Sequence, residues 1–220
     1  MLLLALDTST GPSVALADDG GVRAELDFVD ARHHGETLAP AIVSVLAMAG
    51  ETVDAVSAIV VGVGPGPFTG LRVGLVTARV MAATLGVPIH GVCSLDVLAA
   101  QAAGAGVPDE EFLVLTDARR REVYWGRYDA SGRALGGPAV DRPDAVAALH
   151  PGVRCVGPGT ELYPELLPVR GGPVVLSAGA LADLALFRMR AGESFLPPDP
   201  LYLRRPDATP PAARKPVSTS

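Results

Sequence analysis

The sequence predicts an α/β protein of two similar halves, and three features carry that expectation. A near-continuous apolar run ends in an acid twice, at Leu2–Leu6 before Asp7 and at Glu111–Thr116 before Asp117. Each run is followed by a polar turn and a second strand-like stretch, so the pair reads as one repeated strand–turn–strand unit. Between and after these units, glycine and proline separate segments of helical length.

Each element follows in order. Leu2–Leu6 lacks alternation and reads as a strand covered on both faces. Asp7-Thr8-Ser9-Thr10-Gly11-Pro12 is a turn, and Ser13–Ala17 a second strand. Asp18-Asp19-Gly20-Gly21 signals a hairpin. Val22–Phe28 then alternates, with Val22, Ala24, Leu26 and Phe28 opposite Arg23, Glu25 and Asp27. A helix is predicted over about Glu36–Ala49, with Pro40 near its first turn and Gly50 just past its end. Ala58–Val63 is a buried strand, and the stretch Gly62–Gly74 reads GVGPGPFTGLRVG. A second helix is predicted over about Gly70–Leu85, capped by Thr69 and ended by Gly86 and Pro88. Pro88–Val92 is a strand, and a helix runs from Ser94 to about Ala102. The second half offers strands at Glu111–Thr116, Glu122–Tyr128 and Val153–Val156, turns at Ala118–Arg121, Asp129–Arg133 and Gly157–Gly159, and helices at Pro143–Leu149 and Ala178–Ala191. The expected division is 1–105 and 106–204, with a Pro-, Ala-, Ser- and Thr-rich tail at 205–220 predicted to be disordered.

Composition narrows the function classes. The chain has 220 residues, 49% apolar and 19% charged, with a net charge of −6. No apolar run reaches the roughly 20 residues of a membrane helix. The start, MLLLALDTST, lacks the basic residues of a signal peptide, so a cytoplasmic protein without a membrane partner is expected. An acidic chain lacks the basic balance typical of nucleic-acid binders. Cys93 and Cys155 form no metal or redox motif and read as buried thiols. His33, His34, His90 and His150 supply no i, i+4 metal pair, so no metal site is expected.

The glycine-rich turn ends at a helix N-terminus, where phosphate binds well. It lacks both the Lys-Ser/Thr of a phosphate-binding loop and the dinucleotide spacing, so a structural turn is preferred. Asp7, Thr8 and Ser9 are the residues that would face a nucleotide or its metal in a nucleotide-hydrolysing fold. The preferred alternative is a turn in which they satisfy their own backbone. Arg119–Arg121 is read as a solvated turn.

The two helices carry the sharper signal. Thr37–Gly50 has no charged residue, and Val73–Ile89 has only Arg79. Leu38, Ile42, Val45, Leu46 and Ala49 are placed toward the sheet, and Ala41, Val43, Ser44 and Met48 outward. Leu71, Leu75, Ala78, Ala82 and Leu85 make one stripe of the second helix; Val73, Val76, Val80 and Ala83 make another. Apolar residues on both faces of a surface helix point to a partner. The expected interface comprises Ala41, Ser44, Val45, Met48, Leu71, Arg72, Leu75, Val76 and Arg79, with the two arginines at its rim.

Four blocks in order, LALDTST, RHHGETLAP, VGVGPGPFTGLRVGL and DARRREVYWGRYD, followed by VGPGTELY and LYLR, resemble the TsaB (YeaZ) family. The resemblance spans Leu2 to Arg204. It implies an actin-like fold of the sugar-kinase and heat-shock-protein type, with two similar subdomains. It implies a non-catalytic scaffold that activates the catalytic paralogue TsaD and works with the ATPase TsaE. That complex transfers threonylcarbamoyl, from an adenylate made by TsaC, to the adenosine beside the tRNA anticodon. The same helix surface would form a homodimer when the chain is alone. No cofactor is expected on the isolated chain, ATP or ADP would belong to the complex, and tRNA would be met only there. In the paralogue a histidine pair on the first helix holds a metal; His33-His34-Gly35-Glu36-Thr37 lacks that spacing. An ATP-binding kinase or ATPase of the same fold is the alternative, and a metallopeptidase a third.

Overall fold

The computed structural model describes residues 1–28, 34–107, 110–166 and 175–204. The tail expected from 205 onward lies outside those residues, as does His33 of the expected histidine pair.

The first half builds a five-stranded sheet. β1 (Leu2–Asp7), β2 (Ser13–Asp18) and β3 (Gly21–Asp27) form the antiparallel meander that the hairpin signals predict. α1 (His34–Ala49) leads through a short 3₁₀ turn to β4 (Ala58–Gly62), then α2 (Phe68–Leu85) to β5 (Ile89–Val92). β4 lies parallel to β1 and β5 parallel to β4, giving the order β3-β2-β1-β4-β5. α3 (Ser94–Gly104) crosses to the second half. There β6 (Phe112–Asp117) and β7 (Val123–Tyr128) repeat the antiparallel pair, and β8 (Ala139–Asp141) adds to its edge. After α4 (Pro143–Leu149), β9 (Arg154–Val156) joins β6 in parallel, giving β8-β7-β6-β9. In both halves an antiparallel pair is followed by a strand returning parallel to its first member. This is the duplicated, actin-like α/β arrangement the sequence predicts.

All six residues of β1 are buried, as a strand covered on both faces requires. Its side chains alternate between two cores. Leu2, Leu4 and Leu6 pack with Leu38, Val45, Leu71 and Leu75 of α1 and α2. Leu3 and Ala5 pack on the other side with Leu95, Leu98, Phe112, Val114 and Tyr128. That second core also takes in Leu181, Ala182 and Ala185 of α5 (Ala178–Ala191). α5 falls in the span 106–204 expected as the second subdomain, yet it packs against β1, β2 and β3 of the first sheet.

Smaller differences have local causes. α2 starts at Phe68 with Pro67 in the cap position and no side-chain cap bond, so Thr69 is not the cap. Pro67, with its fixed φ, stands at the entry instead. Gly86 closes the helix with φ +68°, donating its N–H to the Ala82 carbonyl, as glycine past a helix end does. β8 was not predicted, because AVD is too short to show a period. α2 is long and apolar enough to cross a membrane by length and composition. In this fold its Gly70, Leu71, Gly74, Leu75, Ala78 and Ala82 stripe is buried instead.

Candidate functional site

The glycine-rich turn is filled by the chain's own first turn. Asp7 ends β1 fully buried. Its Oδ1 accepts from the Ser9 N–H and the Ser9 hydroxyl, each at 2.6 Å, and its Oδ2 accepts from the Ser94 hydroxyl at 2.6 Å. Ser94 also accepts from the Gly64 N–H at 3.2 Å, tying the turn to the carboxylate. Thr8 donates to the Gly70 carbonyl at 2.8 Å. The glycines allow this approach: a Cβ on Gly62 would lie 1.7 Å from Asp7 Oδ2, and one on Gly66 2.9 Å from Ser9 Cα. Burial raises the Asp7 pKa above its ordinary value, and the bonds from Ser9 and Ser94 only partly oppose that. Asp7 and Ser9 thus bond within the turn as expected, whereas Thr8 and the second Asp7 oxygen are engaged outside it, by the Gly70 carbonyl and by Ser94. The sequence reading missed Ser94; its place directly after a strand, opening a helix, was the available signal.

The apolar helices divide differently from the expected interface. Ala41, Val45, Leu71 and Leu75 are buried against the sheet at 2%, 0%, 0% and 3% exposure. They are core and leave the proposed surface, because β-sheet contact takes two adjacent rows of each helix rather than one. Ser44 and Met48 on α1, with Arg72, Val76 and Arg79 on α2, are exposed. Val43, Met48, Val76 and Val80 keep 67%, 61%, 58% and 59% of their surface. α1 and α2 pack side by side on one face of the sheet, so these residues belong to one outward apolar face.

Arg72 and Arg79 do not stand free at a rim. Both reach the segment after α5. Arg72 lies 3.7 Å over the Phe68 ring and donates to the Tyr202 hydroxyl at 3.2 Å, and Arg79 pairs with Asp199. The same segment bridges to β5 through Gly91 and Leu196 and donates the Leu201 N–H to the Val63 carbonyl at 2.8 Å. Its end crosses to the second half, where Arg204 donates to the Ala118 carbonyl at 2.9 Å and pairs with Glu122. The sequence marked LYLR without showing these contacts.

Between the halves lies a cleft of about 380 Å³, walled by Phe68, Tyr124 and Tyr202 and by Arg119, Arg120 and Arg204. Arg119, Arg120 and Arg121 have φ of +60°, +54° and +61°. The expected solvated turn is therefore a left-handed turn, two of whose arginines line the cleft. Among the described residues no three of His, Cys, Asp and Glu gather as a metal site. Cys93 and Cys155 are buried free thiols, and burial pushes the Cys155 thiol up to about 11.

Fold and site together define an actin-like α/β protein with an inward-facing acid, a filled glycine turn and an uncovered apolar helix face. Residues 13–161 match the family model described as TsaD, tRNA N6-adenosine threonylcarbamoyltransferase. The tRNA threonylcarbamoyladenosine biosynthesis protein TsaB of Escherichia coli is 33% identical over 221 residues, covering 93% of this chain and 95% of that one. An uncharacterised protein of Mycobacterium tuberculosis is 38% identical over 229 residues, 94% of each chain. The structure of YeaZ from Pseudomonas aeruginosa aligns with a TM-score of 0.78 at 34% identity, covering 92% of this chain and 99% of that one. The chain belongs to the TsaB (YeaZ) family, whose named members are tRNA threonylcarbamoyladenosine biosynthesis proteins.

Proposed function

We propose that this chain is a non-catalytic subunit of bacterial tRNA threonylcarbamoyladenosine formation, which binds and activates the catalytic paralogue TsaD in the cytoplasm. The observation that carries the reading is the outward face of α1 and α2, where Val43, Met48, Val76 and Val80 are more than half exposed. Contiguous exposed apolar surface favours association. A TsaD-type subunit suits it as occupant, because the chain itself matches the TsaD family model and two similar folds can pair equivalent helices. A second copy of this chain would use the same face when TsaD is absent. TsaE, and tRNA as substrate of the assembly, belong to the complex, and ATP or ADP would sit there rather than on Asp7.

The non-catalytic reading is supported by Asp7, whose two oxygens are occupied by Ser9 and Ser94 and are shielded from any ligand. The same contacts disfavour the kinase or ATPase alternative.

The test mixes purified chain with its TsaD paralogue and follows association by size-exclusion chromatography and tRNA modification by nucleoside analysis. Val76→Glu with Val80→Glu places two charges on the face while leaving the core untouched. Association weakened at least about tenfold, equal to roughly 1.4 kcal/mol or more of binding, is expected, with tRNA modification reduced alongside it. Unchanged association of a folded double variant would remove this face from the proposal.

A further inference from the structure

The chain beyond α5 returns to the first half and lies lengthwise along α2. Seven helical residues separate Arg72 from Arg79, a rise of roughly 10 Å. Their partners Tyr202 and Asp199 are three residues apart, which in extended chain also spans roughly 10 Å. Helix and segment therefore run antiparallel, side by side, over about two turns. Leu196 and Gly91 exchange both backbone bonds, at 2.9 and 3.0 Å, so the segment also pairs with β5, the edge strand of the first sheet. α1 packs over β2 and β3, on the other side of α2. The outward surface of the first half is thus three adjacent rows, α1, α2 and Leu196–Tyr202, with α2 in the middle.

The third row is held stiffly. Pro197, Pro198 and Pro200 fix their own φ. The Leu201 N–H is bonded to the Val63 carbonyl at 2.8 Å, and the Leu201 side chain packs inward against both apolar cores. Its neighbour Tyr202 keeps 40% of its surface. The Tyr202 ring stacks on Phe68 at 5.0 Å between centroids, and Phe68 opens the α2 row that continues at four-residue steps through Arg72, Val76 and Val80. The stacked rings therefore extend the apolar surface of Val76 and Val80 to the start of α2. Tyrosine is enriched among the residues that anchor protein interfaces, and a ring already fixed by its neighbours loses little freedom when a partner covers it.

We infer that Leu196–Tyr202 is the third row of the docking face on α1 and α2, and that the Tyr202 ring is an anchor contact for the TsaD-type subunit. The inference rests on the TsaD reading, because it adds a contact to that same face. Arg72 and Arg79 are positioning residues here: they hold the segment against α2 through Tyr202 and Asp199. A segment that only closed the fold would affect stability and leave association untouched.

The experiment titrates the full chain against its TsaD paralogue by calorimetry, with a thermal melt of each variant alone. Val76→Glu with Val80→Glu tests the face itself. Tyr202→Ala removes the ring, and Tyr202→Phe keeps the ring without the hydroxyl that Arg72 holds. Phe187→Ala removes an exposed ring of α5, on the opposite side of the first sheet, and is the control. Tyr202→Ala is expected to weaken association at least about tenfold, while Tyr202→Phe and Phe187→Ala bind as wild type. In the wild-type complex, hydroxyl-radical oxidation of Tyr202 is expected to slow when the partner is added. Wild-type affinity of a folded Tyr202→Ala chain, while the two glutamates abolish binding, would overturn this inference and leave the TsaD reading standing. Unchanged oxidation of Tyr202, or equal weakening by Phe187→Ala, would overturn it too. Wild-type association of the glutamate variant would overturn the TsaD reading and this inference with it. The oxidation measurement uses the unaltered chain, so it decides the matter even where Tyr202→Ala does not fold.

Discussion

Asp7 shows how one residue type serves two opposite ends. A carboxylate at the end of the first strand suggests metal or phosphate chemistry, yet here it organises the chain's own turn. Removing a carboxylate from water is costly unless hydrogen bonds replace the lost hydration. Ser9 and Ser94 provide them, but burial still dominates and raises the pKa above the ordinary 3.8. The folded chain therefore holds the Asp7 proton more tightly than the unfolded chain. The stability this contributes is complete below the unfolded value and is lost as pH rises through the raised folded value. Asp7→Asn removes that dependence while an amide can still accept from Ser9 and donate to Ser94. Urea midpoints of both proteins, measured upward from about pH 4, are expected to show wild-type stability falling relative to the variant as pH rises. A difference that stays constant across the range would show that Asp7 does not titrate in the folded state.

At the scale of the element, α2 divides sharply between core and surface. Leu75 is 3% exposed and its neighbour Val76 58%. Leu75→Ala is expected to cost about 3 kcal/mol, through lost burial and the cavity left beneath β4. Val76→Ala should change stability by less than about 0.5 kcal/mol. Denaturant unfolding of the two variants reads this contrast directly, and similar losses at both positions would mean that α2 lies otherwise against the sheet. The periodicity that made α1 and α2 legible as helices did not settle which apolar rows face inward. Both helices carry apolar residues on their outer as well as their inner rows, so the rows of Ala41 with Val45 and of Leu71 with Leu75 were not marked as core by contrast with a polar face. The strands were legible for the opposite reason: β1 is short, unbroken and stopped by Asp7, and β3 alternates. The cleft was not legible, since Phe68, Arg119 and Tyr202 are distant in sequence. The three arginines looked like an ordinary polar turn, because nothing in their identity announces a left-handed backbone.

At the scale of the molecule, the sequence repeat and the packing do not coincide. The repeat places a boundary near residue 105, but the first sheet depends on what lies far beyond it. α5 covers β1, β2 and β3, and its start is fastened by the Ala178 N–H to the Ser13 hydroxyl at 2.6 Å and by the Gly179 N–H to Glu25 at 2.8 Å. Further along, Arg188 donates to Asp96 of α3 at 2.9 Å, and Tyr128 of the second sheet donates to the same carboxyl at 3.0 Å. One apolar core thus contains Leu3 and Ala5 of β1, Phe112 and Tyr128 of the second sheet, and Leu181 and Ala185 of α5. A fragment ending at residue 105 would expose the Leu3 and Ala5 face of its sheet to water, losing roughly 25 cal/mol for each Å² of apolar surface left unburied. Residues 1–105 alone are therefore expected to show no cooperative thermal transition, whereas residues 1–204 should melt in one transition by circular dichroism and calorimetry. A cooperative melt of the 1–105 fragment would mean that the meander with α1 and α2 is self-sufficient. Failure to melt would instead identify α5 and the segment after it as the return of the chain that completes the first half, and would explain why Arg72 and Arg79 of α2 are engaged by Tyr202 and Asp199 rather than left for a partner.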